Sequence, residues 1–167
     1  MKHLAASFAL LIPFAAYAAS TSPDAAFYKK AAEGGISEVE LGNLAQQKGH
    51  NQGVKDFGAM MVKDHSAAND KLKSIAASKN MTLPSHESAM EMATKSKLKV
   101  LSGDTFDKSY IKGMIKDHEE DIAEFKREAA SGQDPDARAF ARDTLPTLET
   151  HLKKIKSVAA DSGVSAD

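Results

Sequence analysis

The chain has 167 residues, enough for one domain with a substantial core. It contains no cysteine, which excludes disulfides, thiol nucleophiles, lipid-modified cysteine anchors and thiolate metal sites. The balance of 22 Lys and Arg against 23 Asp and Glu argues against nucleic acid as a partner, because phosphate binding needs a strong positive excess.

The first segment reads as an export signal. Lys2 and His3 precede an apolar run, Leu4 to Phe14, and Ala16-Tyr17-Ala18 supplies an A-x-A end. The run is too short to predict a stable membrane span. Cleavage is expected after Ala18, leaving residues 19–167 as one domain in the periplasm or secreted. The remainder is rich in Ala, Lys, Glu and Leu and has little strand-like alternation, so it predicts helix almost throughout.

The first helix is expected over about 23–48, opened by Ser22-Pro23-Asp24 and stopped by Gly49. The second runs over about 51–79. Pro84 breaks the chain and Ser85 is placed to cap a short helix of about 86–99. Ser102-Gly103-Asp104 opens a third long helix over about 104–131, ended by Gly132. Asp134-Pro135 starts a fourth over about 134–162, in which Pro146 is expected to introduce a kink. Short links make the first two long helices antiparallel, and likewise the last two. The segment between the pairs, about 24 residues, is long enough to return along the bundle, which makes the second and third long helices parallel. The fold class is therefore all-α, a four-helix bundle with one long crossover carrying a short extra helix.

A repeated phrase carries the chemistry. Met61-Val62-Lys63-Asp64-His65 recurs as Met114-Ile115-Lys116-Asp117-His118, and each histidine falls near the middle of its helix. At 100° per residue, His65 lies on the arc of Phe57, Met61, Ala68, Leu72 and Ile75. His118 and Asp121 share the arc of Tyr110, Met114, Ile122 and Phe125. His151 lies beside that of Leu148, Leu152, Ile155 and Val158, and Glu38 within that of Phe27, Ala31, Leu41 and Ala45. Each long helix thus directs a nitrogen or oxygen donor inward. Buried imidazoles and carboxylates need partners, and together they form a ligand set for one transition-metal ion: Fe, Mn, Zn or Cu.

A buried hydrogen-bonded network without metal explains the same pattern. In that reading Glu38 or Asp121 accepts from the histidines, and the domain is a non-catalytic structural or interaction module. Asp64 and Asp117 flank the seam as outer partners. Met61, Met114 and Met90 stand four residues from His65, His118 and His86, and Met92 adds one more thioether. Thioether with imidazole points weakly to Cu(I), although methionine at this spacing is ordinary core filling. His50 and His86 are expected to be exposed. No H-E-x-x-H, phosphate loop or G-x-S-x-G occurs, and no residue is assigned as catalytic.

Taken together, Gly35-Ile36-Ser37-Glu38-Val39-Glu40-Leu41-Gly42, the two M-[VI]-K-D-H phrases, Phe106-Asp107-Lys108-Ser109-Tyr110 and Thr144-Leu145-Pro146-Thr147-Leu148-Glu149-Thr150-His151 resemble an exported bacterial family of unknown function with a ferritin-like bundle. The resemblance covers about 24–160. It implies a ferritin-like fold in the cell envelope, where stress or metal handling is the expected setting, and it brings no activity. Di-iron members of the ferritin-like class carry Glu-x-x-His on two helices. Here Val62, Ile115 and Leu148 stand three residues before His65, His118 and His151, so the bridging carboxylates are missing and iron storage is not expected.

Overall fold

The computed structural model describes residues 23–165, so the expected export signal, residues 1–18, lies outside the described residues. Among the described residues, five helices follow one another: α1 Pro23–Lys48, α2 Gln52–Ser78, α3 Ala89–Lys99, α4 Gly103–Ser131 and α5 Pro135–Asp161. Among the described residues, no helix is long and apolar enough to cross a membrane.

The ends are set by local chemistry. Asn51 caps α2 by accepting the Gly53 amide at 2.7 Å, and Asp134 caps α5 by accepting the Asp136 amide at 2.9 Å. The cap of α3 is Ser88, not Ser85, and the helix starts at Ala89. Only Ser88 has a glutamate three residues on. Glu91 returns a bond to the Ser88 amide at 2.6 Å while Ser88 Oγ accepts the Glu91 amide, which completes a capping box. α5 is continuous through Pro146, which faces solvent.

Contacts between helix ends fix the topology. The start of α1 meets the turn before α5, where Asp24 accepts the amides of Gln133 at 2.8 Å and Asp134 at 3.2 Å. At the opposite end, Asp107 near the start of α4 accepts the amides of His50 and Asn51, at 2.9 and 2.7 Å, from the α1–α2 link. Lys79, just past α2, pairs with Asp134 at 2.9 Å. α2 and α4 therefore run parallel across the bundle, and each long helix is antiparallel to its packed neighbours. The crossover returns along α1 with α3. Lys95 of α3 bridges Glu40 of α1 and the buried Glu87, and Lys48 donates to the Lys99 carbonyl. α1 and α2 approach closely where Gly42 faces Gly58. A Cβ on Gly58 would stand 2.6 Å from the Gly42 carbonyl oxygen, so neither position has room for a side chain.

The interior is layered. One apolar cluster holds Leu41, Phe57, Met61, Phe106, Tyr110, Met114 and Ile155. The other holds Phe27, Leu72, Ile122, Phe125, Phe140 and Leu148. On every long helix the inward polar residue falls between the two: Glu38 between Ala32 and Leu41, His65 between Met61 and Leu72, His118 between Ile115 and Ile122, His151 between Leu148 and Ile155. The bundle has two greasy halves and a polar waist.

Candidate metal centre

Three imidazoles occupy the waist. His65 of α2, His118 of α4 and His151 of α5 each offer one ring nitrogen, and these nitrogens lie within 4.8 Å of one another. His118 and His151 are 0% and 1% exposed and His65 7%. Phe57 packs its edge against the His118 and His151 rings at centroid distances of 6.2 and 6.3 Å and closes the centre on the side of the first apolar cluster.

Hydrogen-bond partners set the tautomers. A backbone carbonyl can only accept, so the 2.9 Å contact from His118 Nδ1 to the Met114 carbonyl puts the hydrogen on Nδ1. The Asp64 carboxylate likewise accepts from His151 Nε2 at 3.0 Å. In the neutral rings His118 Nε2 and His151 Nδ1 then carry lone pairs, and these two atoms stand 3.4 Å apart. Two lone pairs at that distance repel unless a cation or a proton lies between them. His65 Nε2 is also buried, without a hydrogen-bond partner. Orienting contacts of this kind, a carbonyl on one ring and a carboxylate on another, are what ligand histidines receive at metal sites. Two nitrogens bound to one ion at about 2.0–2.1 Å with a tetrahedral angle sit roughly 3.4 Å apart.

Burial, and then the neighbouring rings, hold His65 well below the usual imidazole range. Burial and then His151 lower His118 to about 4, against the upward pull of the Met114 carbonyl. Both are therefore neutral at physiological pH, the form that binds metal.

The carboxylates expected in the same cluster stand outside the triangle. Glu38 is 4% exposed and its Oε1 is 3.8 Å from His118 Nδ1, the nitrogen facing away from the other rings. Its Oε2 is buried without a partner. Burial, then Asp121 and Asp117, push the Glu38 carboxyl well above its ordinary value. Asp121 lines a cleft with His65 and makes no hydrogen bond or ion pair among the described residues. Asp64 is the outer partner of His151, and no such bond joins Asp117 to a histidine among the described residues. Met61 and Met114 pack in the first apolar cluster, and His50 and His86 are exposed.

Sequence reasoning passed over Tyr110. Its hydroxyl is buried without a partner, and burial followed by Glu38 drives its pKa well above the normal range. The available signal was a tyrosine on an otherwise apolar arc, whose hydroxyl needs a neighbour.

A family model described as a domain of unknown function, DUF4142, matches residues 10–158. No curated protein matches the chain. Among solved structures, a DUF305 protein of Streptomyces coelicolor, described as a candidate secreted protein, is 15% identical with a TM-score of 0.73, covering 87% of this chain and 97% of that one. A DUF305 fragment from Deinococcus radiodurans is 11% identical with a TM-score of 0.73, covering 85% and 98%. CopM in its Cu(I)-bound form is 16% identical with a TM-score of 0.69, covering 83% and 96%. At these identities the likeness is one of fold.

Proposed function

The chain belongs to the DUF4142 family of unknown function, and we propose that it is an exported helical bundle that binds one transition-metal ion through His65, His118 and His151. The observation that carries this reading is the facing of His118 Nε2 and His151 Nδ1 at 3.4 Å, beside the unpartnered His65 Nε2. An ion satisfies all three atoms at once. Three neutral imidazoles with no carboxylate among them suit Zn or Cu better than Mn or Mg. The Cu(I)-bound state of CopM makes copper the first ion to test. Glu38 and Asp121 serve as outer acids, the first beside His118 and the second in the cleft below His65.

Export rests on the leader-like residues 2–18, and with it the setting is metal handling or stress protection in the cell envelope. Phe57 and the two apolar clusters flank the centre, and the cleft that reaches His65 is only about 50 Å³, which favours holding an ion over turning over a substrate. The test is metal analysis of the protein purified from the periplasm without a histidine tag, with melting curves before and after adding Cu, Zn, Mn or Fe. Bound metal near one per chain, or a rise in Tm abolished by His118→Ala, supports the reading. No bound metal and no shift with any of the four rejects it.

A second reading has its own support. A proton on His151 Nδ1 would let that ring donate to both Asp64 and His118, giving a metal-free polar network in a structural module. It leaves His65 Nε2 and Glu38 Oε2 unsatisfied. Nitrogen-15 NMR of the rings separates the two: the network requires both His151 nitrogens to carry hydrogen, whereas the metal site requires a bare Nδ1.

A further inference from the structure

A cleft of about 50 Å³ opens on the bundle surface and reaches His65. Its rim is the ion pair of Lys30 and Glu124, at 2.8 Å, which links α1 to α4. Its wall carries Asp121. Its floor carries His65, whose Nε2 is buried and unpartnered. α1 contributes Gly34 and Gly35, and a Cβ on Gly35 would collide with the Asn69 side chain of α2. A volume of this size holds a few water molecules. It is too small for an organic substrate and large enough for an ion that has shed part of its hydration shell.

The charge around Asp121 points the same way. Among the described residues no lysine, arginine or histidine pairs with Asp121. Asp117, Glu124, Glu91 and Glu120 all act on it, and every one is acidic. Lys30, the cation at the rim, is held by Glu124. Asp121 and Glu124 are the acids that line the cleft, and with Glu124 paired to Lys30 the unpaired carboxyl is that of Asp121. A recessed carboxylate between apolar walls attracts a cation.

We propose that this cleft is the entrance through which a metal cation reaches the three histidines, and that Asp121 is the carboxylate that holds the ion in transit before His65 takes it. The inference rests on the metal-binding reading above. The ion exchanges water for an Asp121 oxygen at the wall and then exchanges that oxygen for His65 Nε2 at the floor. Asp121 is left outside the final ligand set, in keeping with its position beyond the triangle.

Stopped-flow mixing of the mature protein with Cu(II) tests this, read by quenching of tyrosine emission, with the equilibrium Kd from competition against a chelator. Asp121→Asn is expected to slow association about tenfold or more and to slow dissociation by a similar factor, leaving Kd within about threefold. Asp121→Ser should behave alike, and Glu119→Gln, on a face paired with Lys156, should leave the rate unchanged. Association within twofold of the wild type in both Asp121 variants overturns the entrance. So does a weakened Kd carried by faster dissociation, which would make Asp121 a ligand of the bound ion. A wild-type chain that takes up no Cu(II), or any of the other ions, overturns the histidine centre itself.

Discussion

The two copies of the M-[VI]-K-D-H phrase are nearly identical in sequence and sit on parallel helices, yet they do different work. In the first, Asp64 reaches across to α5 and accepts from His151, while its own His65 has an unpartnered Nε2. In the second, His118 is tied to the Met114 carbonyl, while Asp117 bonds to no histidine and has its carboxyl raised to about 6, by burial first. The neighbouring helix makes the difference. α2 lies beside α5, which presents a histidine to Asp64. The acids acting on Asp117 are Glu120 of its own helix and Glu91 of α3. A repeat therefore specifies which residues point inward. What they meet there depends on the partner helix.

The sharpest break in this comparison is metal dependence. If both copies feed one centre, His65→Ala and His118→Ala each abolish the ion-induced rise in stability, about 2.7 kcal/mol at a ligand concentration a hundredfold above Kd. Calorimetric scans with and without Cu or Zn measure it, and retention of the shift in either variant separates the copies. The metal-free protein should then distinguish them. His118→Ala opens a cavity in a fully buried position and is expected to cost about 2–4 kcal/mol by urea denaturation. His65→Leu replaces an unsatisfied nitrogen with apolar surface and is expected to cost less than about 1 kcal/mol or to stabilise. Equal losses would erase the contrast.

The two aspartates give a smaller effect. Asp64→Asn weakens the orientation of His151 and should reduce metal affinity about tenfold or more, with a modest loss of stability because Asp64 is partly exposed. Asp117→Asn should leave affinity nearly unchanged and stabilise the protein slightly at pH 7. The sign follows from titration. A carboxyl raised to about 6 in the fold, against about 3.9 when unfolded, favours the folded state at low pH and loses that contribution as pH rises through 6. His118 runs the other way: lowered to about 4 in the fold, it costs stability as pH falls from about 6.5. Urea midpoints from pH 4 to 8 should show Asp117→Asn losing the acid-side gain and so falling more steeply than wild type below pH 6.

Much of this was legible beforehand. Amphipathic spacing gave the four long helices to within a residue or two, and the length of the crossover gave the parallel pairing of α2 and α4. The inward placement of His65, His118, His151 and Glu38 followed from 100° steps. The i, i+3 rule places Asp121 on the same face as His118 without saying how far toward the neighbouring helix it leans. In the structure it turns to the cleft. Ser85 misled because a serine alone marks a cap less reliably than a serine with Glu91 three residues on.

Periodicity alone determined that this chain is an all-helical bundle with polar residues at the middle of each inward face, because a helix face is a property of consecutive residues. Only the packing of four helices at one level decided that three imidazoles converge while two carboxylates stand aside. Direction and reach across a gap between helices depend on which helix lies opposite, and no single helix carries that information.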